Sequence, residues 1–304
     1  MRILATQRLP GPAWDELGEV ELLDGSWPEA LTEPRPEVEA CVVVNQRVDA
    51  SVLDLLPGLR LVANYGVGYD QVDVEACRAR GVAVTNTPGV LDAATADLAL
   101  ALILACRRRV VAGDRFVRAG HWTSGWAKPR IMGGDLAGAT LGIVGLGRIG
   151  SAVARRARAF DMRVLYHRRT VGTEAGAEYR PLDDLLRESD VVSLHVPLSA
   201  ATTGLISRER LGLLRDGATL VNTSRGAVVD EAALVDELVS GRIRAGLDVF
   251  VDEPRVPPAL YDLDNVVLTP HIGSATVETR AAMTRIVVDN LLAAAHGAPL
   301  RTQV

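Results

Sequence analysis

The chain has 304 residues, 48% of them hydrophobic but only 4% aromatic, with a formal net charge of -5. That length holds one large or two medium domains, and the aliphatic bias suits Val/Ile/Leu-rich parallel sheets covered by helices. The mild negative charge gives no reason to expect nucleic acid or an anionic membrane as a partner.

Short β-branched runs alternate with helix-like segments nearly throughout, the signature of an α/β fold with parallel strands. The first third predicts strands at Arg2–Thr6, Ala40–Val44, Leu61–Asn64 and Val82–Thr85, with amphipathic helices at Ala50–Leu56 and Val74–Arg80. The N-terminus opens directly on a strand without the apolar core and cleavage pattern of a secretory leader. Cys41, Cys77 and Cys106 are scattered, odd in number and flanked by aliphatic runs, so buried free thiols in a cytoplasmic protein are expected. No metal-ligand spacing appears, so no metal is expected.

One long helix is expected from Asp92 to Arg109, continuing to Val117. Its apolar core is about 14 residues, short of the ~20 that span a bilayer. Residues 120–134, with Trp122, Trp126, Pro129 and paired glycines, read as an irregular excursion; Lys128 is the one lysine of the chain. A second αβ series begins at Thr140. It predicts strands at Leu141–Val144, Arg163–Tyr166, Val191–His195, Thr219–Asn222, Gly246–Phe250 and Val266–Leu268. Helices are expected at Arg148–Phe160, Leu182–Glu188, Arg208–Leu214 and Glu231–Ser240, and a last helix at Thr276–Ala295. Six parallel strands after one glycine fingerprint fit a doubly wound nucleotide-binding domain.

That fingerprint places Gly145, Gly147 and Gly150, with Leu146, Arg148 and Ile149 between them, after an apolar strand and before an Ala/Arg helix. Such a loop turns tightly, lets a pyrophosphate approach the backbone, and offers it the helix N-terminus. The next strand ends in His167, Arg168, Arg169 and Thr170, with no acid until Glu174. An NAD site usually places Asp or Glu there for the ribose 2′-hydroxyl, whereas guanidinium groups suit a 2′-phosphate. NADP(H) is therefore preferred, with NAD(H) possible.

Three segments follow predicted strands: Asn222–Gly226, Asp248–Pro254 and Thr269–Ser274. Ligands of open parallel sheets bind beyond the C-terminal strand ends. Carbonyl reduction needs a proton donor, a group that favours the donor's charged form, and a cation that polarises the carbonyl. His271, Glu253 and Arg225 have those chemistries. Taken singly, His271 could equally cap a helix, Arg225 could be a strand-end ion pair, and Asp252 competes with Glu253.

With these motifs in order, the chain resembles the D-isomer-specific 2-hydroxyacid dehydrogenases, most closely their glyoxylate/hydroxypyruvate reductase branch. The resemblance also takes in Asn64-Tyr-Gly-Val-Gly-Tyr-Asp70, Thr85-Asn-Thr-Pro-Gly89 and Thr95-Ala-Asp-Leu98. It implies a discontinuous flavodoxin-like substrate domain from residues 1–90 and 275–304, and a Rossmann cofactor domain over 91–274. It assigns substrate binding and polarisation to Arg225, acid/base work to His271 and the imidazole partner to Glu253. Val67 and Gly68 would present N–H groups to the substrate carboxylate. Thr95, Thr223, Ser224, Asp248 and Gly273 would line the cofactor. The resemblance further implies domain closure over a small 2-keto or 2-hydroxy acid, and a homodimer formed around residues 92–135. Trp122 matches a tryptophan that reaches the neighbouring site in some relatives, while packing over its own core stays equally open. Reduction of 2-ketogluconate, oxidation of phosphite or D-3-phosphoglycerate, and a dinucleotide-sensing corepressor role are the alternatives. The chain carries no appended regulatory domain or binding tail to favour the last two.

Overall fold

The computed structural model describes residues 1–125, 131–170 and 176–304, and the chain divides into two compact units. One unit is Met1–Leu91 with Ser274–Val304, and the other is Asp92–Gly273. Both are α/β.

In the first unit, β1 (Ile3–Ala5), β2 (Glu21–Leu22), β3 (Ala40–Val43), β4 (Leu61–Asn64) and β5 (Ala83–Thr85) form a parallel sheet ordered β2-β1-β3-β4-β5. This is the flavodoxin-like order. Every residue of β1, β3 and β4 is buried, which is why these strands read as unbroken apolar runs instead of alternating ones. Helices α1 (Ala50–Leu55) and α2 (Val74–Ala79) start where the Asp49 and Asp73 side chains accept N–H groups of their first turns. The C-terminal helix, Val277–Ala295, packs in this unit. The Tyr65 hydroxyl donates to the Arg280 carbonyl at 2.8 Å, and the Thr284 hydroxyl to the Pro10 carbonyl at 2.6 Å.

The second unit opens with α3 (Asp92–Arg107) and α4 (Val110–Arg118), followed by β6 (Thr140–Val144), α5 (Arg148–Arg158), β7 (Arg163–His167) and β8 (Glu178–Tyr179). The chain continues through α6 (Leu182–Glu188), β9 (Val191–Leu194), α7 (Arg208–Leu211) and β10 (Thr219–Asn222). It closes with α8 (Glu231–Val239), β11 (Arg244–Leu247) and β12 (Val266–Leu268). The sheet runs β12-β11-β10-β9-β6-β7-β8, all parallel, and its order reverses between β6 and β9. Neighbouring strand residues feed opposite faces. Leu141, Val191 and Val221 enter one apolar cluster, while Val144, Val192 and Leu220 enter the other.

The structure departs from the sequence expectations at definable points. The long helix breaks after Arg107, because Arg109 takes a left-handed backbone (φ 53°) and the Gly134 N–H captures the Arg107 carbonyl at 2.8 Å. The strand expected at Gly246–Phe250 starts two residues earlier and ends at Leu247, and the Phe250 N–H turns to the Glu253 side chain instead of a neighbouring strand. The two-residue strands β2 and β8 carry too little pattern to be predicted. The helix expected at Arg208–Leu214 ends at Leu211. Trp122, for which two readings were open, is 59% exposed. Trp126, Lys128, Pro129 and Glu174 lie outside the described residues.

Candidate active site

The glycine fingerprint sits at the C-terminal end of β6, next to the point where the strand order reverses. Gly145 has φ 97°, and a Cβ there would come within 2.6 Å of the His195 carbonyl oxygen. Only glycine fits that turn. The Cβ position of Gly147 faces open space, and Gly150 lies against the Gly145 carbonyl. Gly147 caps α5 without a side-chain hydrogen bond, and a Cβ there would meet nothing within 4 Å. Buried Leu146 anchors the loop from beneath. This loop fits a pyrophosphate, whose charge the free N–H groups and helix dipole would hold.

At the end of β7, the His167 imidazole contacts the Arg180 carbonyl at 3.2 Å and stacks on Tyr179. It is turned toward structural partners. The Arg168 guanidinium lies over the Tyr166 ring, 5.6 Å from its centroid, while Arg169 and Thr170 are exposed.

Beyond β10, β11 and β12 stand the three candidate catalytic side chains. His271 Nδ1 is 2.7 Å from Glu253 Oε2, and Glu253 Oε1 accepts the Phe250 N–H at 3.1 Å. Asp252 turns away to pair with Arg255 at 2.8 Å, which resolves the choice between the adjacent acids geometrically. Burial pushes the Glu253 carboxyl up. The His271 hydrogen bond and charge, the Phe250 N–H and the Arg225 charge outweigh it, and the carboxyl is held below its usual value. Arg225 Nη1 donates to the Ser224 carbonyl at 2.8 Å. The loop carrying Arg225 is organised by Asn222. Its Oδ1 accepts the Ser224 N–H and hydroxyl, and its Nδ2 donates to the Arg225 carbonyl. Sequence reasoning gave Asn222 no role, although an Asn closing a buried strand is a known device for bonding its own backbone.

Asp248 is wholly buried, and its carboxylate accepts the Thr269 hydroxyl (2.6 Å), the Ile272 N–H (2.8 Å) and the Gly273 N–H (2.8 Å). Burial holds this carboxyl above the ordinary range despite those donors and the nearby His271 charge. A Cβ built on Gly273 would meet the Asp248 carboxylate at 3.3 Å and the Thr95 methyl at 3.4 Å, so these three form one surface. The Thr223 hydroxyl is buried and has no hydrogen-bond partner among the described residues, as a group awaiting a polar ligand would be. Together these features fit a nicotinamide dinucleotide.

Val67 and Gly68 lie in the other unit, in the loop after β4. Asn64 Nδ2 donates to the Gly66 and Gly68 carbonyls at 3.1 and 2.9 Å, and Asn86 Nδ2 donates to the Val67 carbonyl at 2.9 Å. The carbonyls are thereby committed. The Val67 and Gly68 N–H groups have no partner among the described residues.

The family described as D-isomer specific 2-hydroxyacid dehydrogenase, NAD binding domain, matches residues 100–273. The chain belongs to the D-isomer-specific 2-hydroxyacid dehydrogenase family. It is 52% identical over 278 residues to a glyoxylate reductase of Pyrococcus furiosus, covering 88% of this chain and 83% of that protein. Among solved structures, an NADPH-dependent glyoxylate/hydroxypyruvate reductase from Sinorhizobium meliloti, in complex with NADP and malonate, superposes with a TM-score of 0.89. Identity is 39%, with 100% of this chain and 96% of that one covered. A glyoxylate reductase from Paecilomyes thermophila gives 0.90 at 35% identity, covering 100% and 98%. The matched 2-hydroxyacid dehydrogenase region contains the glycine loop, Arg225, Glu253 and His271.

Proposed function

We propose that this chain reduces small 2-keto acids, glyoxylate and hydroxypyruvate first among them, giving the D-2-hydroxy acid where a stereocentre forms. The observation that carries the reading is the 2.7 Å pair of His271 with Glu253, on a strand-end loop whose acid also feels the Arg225 charge. The curated and structural relatives named above support the substrate class.

When bound, a reduced nicotinamide would supply the hydride for the carbonyl carbon. Glu253 holds Nδ1–H of the imidazole, which leaves Nε2 of His271 to give its proton to the carbonyl oxygen. Arg225 polarises that oxygen and pairs with the carboxylate through its planar fork. The Val67 and Gly68 N–H groups bind the carboxylate. Neutral His271 then recovers a proton from solvent. The loop from Gly145 to Gly150 would cradle the pyrophosphate, and Thr95, Thr223, Ser224, Asp248 and Gly273 would hold the nicotinamide end.

NADP(H) is the preferred cofactor in this reading and NAD(H) the poorer one. Arg168, Arg169 and Thr170 supply positive charge and a hydroxyl where a 2′-phosphate would stand, and His167 closes the strand beside them. A cytoplasmic homodimer completes the proposal. Val110 and Val117 on α4, with Trp122 and Met132, leave apolar side chains exposed that a second copy would cover. Among the described residues, no helix is long and apolar enough to cross a membrane.

The deciding experiment mixes purified protein with NADPH or NADH and a panel of 2-keto acids, following loss of nicotinamide absorbance. Turnover of glyoxylate and hydroxypyruvate, abolished by Arg225→Ala or His271→Ala, is expected. No turnover of any 2-keto acid with either cofactor would overturn the reading.

A further inference from the structure

Two consecutive peptide N–H groups after β11 are divided between two carboxylates. Phe250 donates to Glu253 Oε1 at 3.1 Å, and Val251 donates to Glu231 Oε1 at 2.9 Å. Glu231 is the first residue of α8, but it is not the cap. Asp230 already accepts the Ala233 N–H at 3.0 Å. The Val251 side chain is 52% exposed and gives its peptide little packing support. The contact is reinforced from the Arg225 side, because a Cβ on Gly226 would collide with the Phe250 carbonyl group. The backbones carrying Arg225 and Glu253 therefore touch at Gly226 and are tied together by Glu231.

We propose that Glu231 is a positioning residue: by holding the Val251 N–H, it leaves Glu253 one oxygen for Phe250 and the other for His271. The inference rests on the reading of His271 and Glu253 as the proton-donating pair. Without Glu231, the Val251 N–H loses its carboxylate, while Glu253 already holds the adjacent Phe250 N–H in the same loop. A carboxylate bonding two adjacent backbone donors turns away from the imidazole.

The charged groups facing this pair are Arg225, felt at Glu253, and Asp248, which feels His271. Asp252 is engaged by Arg255 on the exposed side. Glu231→Ala and Glu231→Gln remove the same negative charge, so a change in proton donation seen with Ala and restored by Gln reports the geometry of Glu253.

The test compares Glu231→Ala and Glu231→Gln with the unaltered protein by pH-resolved kinetics and by nitrogen NMR of the His271 imidazole. In Glu231→Ala, kcat should fall on the order of tenfold with the cofactor KM unchanged. The alkaline limb of the reduction profile and the imidazole titration should both move to lower pH, because a weakened carboxylate contact favours the charged ring less. Glu231→Gln keeps an acceptor and should restore most of both. Equal loss of rate at every pH, with the imidazole titration unmoved, would reduce Glu231 to a structural tie and overturn the proposal. The NMR readout needs no turnover. An inactive native protein whose imidazole titration still responds to Glu231→Ala would sink the reductase reading while leaving the positioning role standing.

Discussion

Asp248 holds His271 in a left-handed backbone: the His271 N–H donates to the Asp248 carbonyl at 2.9 Å while φ at His271 is 53°. A non-glycine residue in that region costs roughly 1–3 kcal/mol and persists only where its surroundings dictate it. Here the Asp248 carboxylate takes the next two peptide N–H groups, Ile272 and Gly273.

Removing that carboxylate leaves the loop without its acceptors. Asp248→Ala should destabilise the protein by about 2–4 kcal/mol in denaturant unfolding, since each orphaned buried donor costs about 1–3 kcal/mol. The kcat should fall with it. Asp248→Asn keeps one acceptor oxygen and should lie between the two. Native stability of the Ala variant would show that His271 holds its conformation unaided.

Glu253→Gln isolates the charge of the acid from its shape. Its carboxyl lies below the usual value, so it is ionised at every working pH. The variant should lose on the order of a hundredfold in reductive kcat. Its alkaline limb should shift to lower pH, because the imidazole loses the anion that favours its charged form. Stability carries the same signature. A depressed carboxyl contributes above its unfolded value of 4.5 and loses that contribution as pH falls through its folded value. The stability gap between native and variant proteins should therefore shrink below pH 4.5. A gap independent of pH would count against the ionised pair.

Much of the fold could be read from residue pattern because strands such as Ala40–Val43 and Thr219–Asn222 are buried along their whole length. Pattern failed where tertiary contacts decide. Nothing local to Arg107–Arg109 shows that Gly134 will take a helix carbonyl, and two residues at Glu178–Tyr179 make no period. The apolar run Gly246–Phe250 promised a strand as far as Phe250, yet the strand ends at Leu247 and Phe250 bonds Glu253. The strand-end origin of Arg225, Glu253 and His271 was legible. The choice of Glu253 over Asp252 came from the family resemblance and not from residue chemistry, since it depends on which acid faces an imidazole 18 residues onward in the chain. Asn222 and Glu231 escaped notice because their partners are backbone groups, which leave no trace in side-chain chemistry.

Cofactor choice turns on Arg168 and Arg169. Arg168 is braced over Tyr166, so its guanidinium is already oriented and little entropy is lost in binding phosphate. Replacing both arginines with Ala should raise the KM for NADPH by roughly ten- to a hundredfold, the scale of one or two lost charge-assisted bonds. The KM for NADH should change little. Equal changes for both cofactors would place the arginines away from the 2′-position.

His195 bears a second histidine effect that should be separable from His271. It follows β9, its Nε2 lies 2.8 Å from the Ser193 hydroxyl, and burial pushes its pKa down to about 4. A histidine with a lowered folded pKa binds fewer protons in the native than in the unfolded state. Its contribution is complete above 6.5, the unfolded value, and drains away as pH falls toward about 4. His195→Gln removes this linkage while keeping a group able to bond Ser193. The variant's melting temperature should fall less steeply than the native protein's between neutral pH and pH 4. The alkaline limb of its reduction profile should stay in place, because His195 is neutral throughout that range. A shifted alkaline limb in His195→Gln would assign that ionisation to the wrong imidazole.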